Sequence, residues 1–275
     1  MSLKIVPLGP VIGAEVQGLD ARAISAADAA ELYQAWLRHH VLVIRGQPMD
    51  EDELIDFGRC FGPIEMARKR SPLAQRPEIM VISNVCENGQ PVGSLPDGEL
   101  SFHFDRIHQA VPNKAGVLHA LEIPDAGGET LFGNMCEAYE TLPAALRSRL
   151  DGLTALNTYE YGQTHAERKT LDAEAPTAVH PVVRTLPDSG KKALYVCRLM
   201  TDHVNGLPAD ESRELLDALC RHAEDPRFGY EHVWQKGDTL IWDNRCAIHA
   251  RKDFDTGQRR VMKRVTVGDT VAPLH

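Results

Sequence analysis

The sequence contains no run of about 18 consecutive apolar residues, so no helix drawn from it is expected to span a bilayer. The start, MSLKIVPLGPVIGAEV, lacks a basic opening, a long apolar stretch and a small-residue cleavage site, so a secretory leader is not expected. Basic residues are outnumbered, 30 against 39 acidic ones, for a formal charge of -9; binding a polyanion needs a basic face, so no nucleic-acid partner is expected. The six cysteines form no CxxC pair and lie far apart, which speaks against a zinc ribbon or a disulfide scaffold and fits a reducing, cytoplasmic setting. Fixed-period repeats, low-complexity tracts and long linkers are also missing. With 275 residues, 43% of them hydrophobic, one enlarged domain over 1–275 is expected.

Local patterns outline the elements. Ser25 and Asp28 form a capping box ahead of AAELYQAWLRHH, and HVLVIR then reads as a strand. Asp50 and Glu53 open a second helix running through LIDFGRCF to the stop at Gly62-Pro63. A strand at IMVIS leads into NVCENGQPVGSLPDGEL, which reads as too polar and too broken for regular structure, so that 84–102 is expected to be a loop serving a site. Further strands are expected at AGVLHALEI, ETLF, LTALNTY, AVHPVVRTL, KALYVC, YEHVW, TLIWD and RRVMKRVTV, with helices near Met135–Glu140, Pro143–Asp151 and Ala209–Ala223. Many short strands with few helices and no βαβ alternation imply a mainly β sandwich or jelly roll with helices outside.

The chemistry centres on His103-Phe104-Asp105 and the distant His249. Alternate residues of an extended chain share a face, so His103 and Asp105 could address one metal ion, and a remote histidine would close a facial triangle. Two histidines and one carboxylate leave three octahedral positions open, which suits non-haem iron(II). An HxD pair on its own is more often a hydrogen-bonded surface or core pair, and a zinc hydrolase could use the same triad.

The segments HFD, GGET, HPVVRTLPDSGKKALYV, WDNRCAIH and QRRVMKR, in that order across Phe57 to Asp269, resemble the taurine/2-oxoglutarate dioxygenase family, which includes aryloxyalkanoate and alkylsulfatase dioxygenases. The resemblance implies a double-stranded β-helix, with His103, Asp105 and His249 as ligands to Fe(II), and with 2-oxoglutarate and O2 as co-substrates. It implies that Arg260 pairs with the distal carboxylate of 2-oxoglutarate, helped by Thr130, a role suited to a planar guanidinium. It further implies release of succinate and CO2 with oxidation of a small organic acid, by hydroxylation or by bond cleavage. Oligomers are common in the family, and a homo-oligomer is expected.

Arg264 matches a second arginine that reaches the anionic end of the substrate in sulfonate-using members; an outward, solvated arginine is the alternative. PIEMARKRS lacks the histidine that holds a sulfonate in taurine users, so taurine is not the expected substrate. Glu99 and Arg106, with Arg264, could bind a zwitterion such as an amino acid or an aminoalkyl phosphonate or sulfonate, or the two loop charges could simply pair with each other or with solvent. Tyr159, Tyr161 and His165 fall where the family has a lid, 157–178, and are either substrate contacts or packing residues. His119 and His180 sit in apolar strands and are expected to be structural, while His108 is ambiguous. A non-catalytic jelly roll remains the competing class.

Overall fold

A computed structural model describes residues 3–94, 100–159, 163–164, 166–167 and 174–275. The first helix, Ala26–His39, begins as its sequence predicts: the Ser25 hydroxyl accepts from the Asp28 amide and the Asp28 carboxylate accepts from the Ser25 amide. Its buried stripe, Leu32, Ala35 and Trp36, packs on Leu42, Ile44 and Ile241. Each aliphatic side chain so buried contributes about 1.5–3 kcal/mol. The second helix carries the same device at Asp50 and Glu53. It spans Glu51–Arg59 and stops short of the expected Phe61, because the amides of Cys60 and Phe61 bond back to Phe57 and Gly58 in tighter turns.

Two sheets carry the molecule. The larger has seven strands in the order Lys4–Pro7, Ala14–Gln17, Val41–Ile44, Thr239–Asp243, Ala115–Glu122, Val261–Val267, Met80–Ser83. The smaller has four, in the order Gly229–His232, Thr130–Asn134, Ala247–Arg251, Leu100–His103. Apart from Lys4–Pro7 and Ala14–Gln17, which pair as a local hairpin, neighbours in both orders are remote in sequence, so their register was not readable from local pattern. One apolar cluster draws on both sheets, joining Leu118, Leu240, Trp242 and Met262 of the larger to Phe132 and Ala247 of the smaller. A separate cluster buries the helix Ala209–Ala223 through Leu215, Leu216 and Leu219.

One expectation is corrected. The stretch after Asn84 is not devoid of regular structure: Cys86–Glu87 and Gln90–Pro91 pair as a hairpin around Asn88 and Gly89, both at positive φ. Asn-Gly is the pair that a tight two-residue hairpin turn favours, because both positions need a left-handed backbone. Loop 84–102 also ends early, since its last residues belong to the Leu100–His103 strand. No helix among the described residues is long and apolar enough to cross a membrane.

Candidate metal and co-substrate site

The site forms where the two sheets meet. In the smaller sheet His103 stands directly opposite His249, with ring centroids 4.2 Å apart. The strand ends at His103, and the turn that follows is clamped by Asn244, whose side-chain oxygen accepts from the Asp105 amide at 2.8 Å while its nitrogen donates to the Asp105 carbonyl at 3.0 Å. Asp105 thereby faces both rings: its carboxylate oxygens lie 4.0 Å from His103 Nε2 and 3.6 Å from His249 Nε2. One candidate ligand atom from each of the three residues falls within 4.8 Å of the others. Adjacent ligands about 2.1 Å from an octahedral ion stand roughly 3 Å apart, so small side-chain rotations would close the set around one cation.

The proton inventory fits that use. His103 donates from Nδ1 to the Ser101 carbonyl at 2.9 Å, which leaves the Nε2 lone pair toward Asp105. Burial lowers the pKa of His103, and burial followed by the neighbouring His103 lowers that of His249 to about 3, so both rings are neutral, as ligation requires. Burial alone would raise the Asp105 carboxyl, but the Arg264 guanidinium outweighs it and holds the group well below the usual carboxylate range. Arg264 contacts both Asp105 oxygens, at 3.1 and 2.6 Å, and lies over Trp242. It therefore points inward, and the solvated alternative for this residue does not hold.

A cavity of about 410 Å³ takes in the triad and continues to Thr130, Arg251 and Arg260. Arg260 is 2% exposed; its Nη2 reaches only the Gly128 carbonyl at 3.5 Å, and its Nε has no hydrogen-bond partner among the described residues. Burial, followed by the nearby Arg251 charge, pulls its pKa down to about 9, as expected of a cation awaiting an anion. Gly128, at φ 71°, makes room for it, because a Cβ there would stand 3.2 Å from Arg260 Nε. Thr130 Oγ1 accepts from Trp234 Nε1 at 3.0 Å and lines the same end. A dicarboxylate with one end at the triad and the other at Arg260 fits this donor set.

The remaining candidates divide. Arg106 lines the cavity but pairs with Glu65, 41 residues earlier, a partner that sequence reading did not supply. Glu99, Tyr161 and His165 lie outside the described residues. Tyr159 stands half exposed at the rim, edge-on to His108 at 5.0 Å. His119 and His180 are buried and bonded, to Thr239 and to the Gln109 carbonyl respectively, in agreement with structural roles. Sequence reasoning missed Asn244, although it sits in WDNRCAIH, and Arg68 and Lys69, which bring positive charge to the cavity from the segment noted only for its missing histidine.

Comparisons with known proteins converge on the same ground. The profile of the family described as taurine catabolism dioxygenase TauD, TfdA family matches residues 4–266. The chain is 35% identical to an alpha-ketoglutarate-dependent 2,4-dichlorophenoxyacetate dioxygenase of Cupriavidus pinatubonensis, over 98% of this chain and 99% of that one. It is 33% identical to pentalenolactone F synthase of Streptomyces arenae, over 96% and 94%. The crystal structure of AAD-2 in complex with Mn(II) and N-oxalylglycine superposes with a TM-score of 0.84 at 26% identity, covering all of both chains.

Proposed function

Because this chain belongs to the TauD, TfdA family and is a non-haem iron, 2-oxoglutarate-dependent dioxygenase, we propose that His103, Asp105 and His249 hold its iron(II), that Arg260 and Thr130 seat the far carboxylate of 2-oxoglutarate, and that it oxidises a small organic acid with an apolar body. The observation that carries this reading is one cavity joining the two-histidine, one-carboxylate set to a buried arginine with no carboxylate opposite it among the described residues. Iron(II) bound there supplies, with 2-oxoglutarate and O2, the oxidising chemistry that yields succinate, CO2 and an oxygenated product.

The chain's own residues supply placement. The Ser101 carbonyl holds the Nδ1 proton of His103, Arg264 keeps Asp105 ionised, and Asn244 fixes the turn between the first two ligands. Phe132 and Trp242 wall His249 and keep water from that side. We read the two sheets as the halves of a double-stranded β-helix within a single domain, with the site at their junction.

Among the described residues that line the cavity, Asp105 is the only carboxylate; Arg106 and Arg264 are paired with Glu65 and Asp105, while Arg68 and Lys69 bring further positive charge and Met80, Ile82 and Leu118 an apolar wall. That balance favours a monoanion with an apolar body, of the aryloxyalkanoate kind, over an amino acid or another zwitterion. A zinc hydrolase would leave Arg260 without a role. The test is anaerobic addition of iron(II) and then 2-oxoglutarate: a weak visible metal-to-ligand band is expected in the parent and should need far more 2-oxoglutarate in Arg260→Met. A spectrum without the band, or a band indifferent to Arg260, would end the assignment.

A further inference from the structure

His108 is 2% exposed and lines the cavity, yet neither of its ring nitrogens has a hydrogen-bond partner among the described residues. Other buried histidines are provided for: His40, His103, His119, His180 and His232 each engage at least one ring nitrogen, and His249 faces Asp105. An imidazole with both nitrogens buried and unmet is costly to keep, which points to a group that arrives from outside.

The local backbone aims the ring. Arg106 holds φ at 54°, an uncommon conformation for a residue other than glycine, and the chain then sends Ile107 into the core and His108 to the cavity. Burial first, then the positive charges of Arg68 and Arg106, lower its pKa to about 4, so the ring is neutral and offers one N–H and one lone pair. Tyr159 stands edge-on against it at the rim. An anion drawn in by Arg68 and Lys69 would therefore pass the ring on its way to the apolar wall.

Resting on the organic-acid reading above, we propose that His108 is the specificity-determining residue of the substrate seat, donating its ring N–H to an uncharged oxygen that the substrate carries between its anionic group and its apolar body. An acid with a methylene in place of that oxygen leaves the donor buried and unmet, and is bound more weakly.

The experiment uses matched monoanions, phenoxyacetate against 3-phenylpropanoate and further ether/methylene pairs, with the full-length protein, His108→Leu and His108→Gln. Dissociation constants are measured by calorimetry with Mn(II) and 2-oxoglutarate bound and oxygen absent; succinate release in the iron(II) protein then separates KM from kcat. In the parent the ether member of a pair is expected to bind roughly tenfold or more tightly. His108→Leu should erase that preference mainly through KM, and His108→Gln, which keeps an N–H donor, should retain part of it. Equal binding of both members by the parent, or an undiminished preference in His108→Leu, overturns the proposal. Formation of the anaerobic visible band by each variant keeps this outcome distinct from a failure of the dioxygenase assignment, and a parent that takes none of the acids overturns the organic-acid reading together with the inference. Should His108→Leu not fold, His108→Gln against the parent decides.

Discussion

A guanidinium buried with no carboxylate opposite it costs the fold free energy until a ligand arrives, and among the described residues Arg260 is in that position. Function and stability should therefore pull apart at this residue. Arg260→Met keeps much of the side-chain volume while removing the charge, and is expected to stabilise the ligand-free protein by about 1–2 kcal/mol. The same change should weaken 2-oxoglutarate by roughly a hundredfold, since a charge-assisted pair is lost. Thermal unfolding without ligand and a 2-oxoglutarate titration of the visible band check the two halves. A variant that unfolds earlier and still binds 2-oxoglutarate like the parent would remove Arg260 from the co-substrate end. Arg264, in contrast, is compensated by Asp105 in the ligand-free protein, which is how an inward arginine persists so close to two neutral histidines.

Between the elements, the closest fit is at Gly116, where a Cβ would stand 2.3 Å from Trp242 on the adjoining strand. Trp242 lies 4.9 Å from His249 and beneath Arg264, so this glycine sets the floor of the site. Gly116→Ala is expected to cost about 3 kcal/mol through overpacking and to raise KM for the organic acid as the indole shifts; thermal unfolding and succinate assays read both. A variant as stable as the parent would show that the contact relaxes freely. Nothing in AGVLHALEI announces that contact, which marks where sequence reading stops. The caps at Ser25 and Asp50 were legible because they depend on side chain and backbone within three residues. That His103, Asp105 and His249 gather in one place was legible from the HFD spacing together with the resemblance carried by the GGET and WDNRCAIH segments. The expected KALYVC strand pairs only over Lys192–Leu194, because the Thr201 hydroxyl takes the Cys197 amide that a ladder would have used. The His103–His249 register, the Arg106–Glu65 pair and the Asn244 clamp all join residues remote in sequence, and no local periodicity encodes them.

At the scale of the whole molecule, the buried histidines govern the response to acid, and His40 and His119 are two that lie away from the cavity. His40 is held against Cys246, and His119 accepts the Met49 amide on Nε2 while its Nδ1 proton faces Thr239, an arrangement that a second proton would break. Burial lowers both pKa values to about 4, against an ordinary value of 6.5. The unfolded chain therefore takes up these protons first as pH falls. The stability the two groups contribute is complete above pH 6.5 and drains away as pH drops through the interval down to about 4. At about pH 5 each should have cost roughly 2 kcal/mol relative to neutrality, an order-of-magnitude figure from about 1.4 kcal/mol per pH unit. Acidification also reduces the net charge of -9 and so eases self-repulsion, but those charges are spread over a solvated and screened surface, and the buried protonations outweigh the relief. Urea denaturation of metal-free protein at pH 7 and pH 5 should thus show a loss to which these two residues contribute about 4 kcal/mol, with His119→Gln making the loss smaller by about 2 kcal/mol. Stability that is level or rises over that interval would mean that surface charge dominates and that the two rings are not held neutral by the fold.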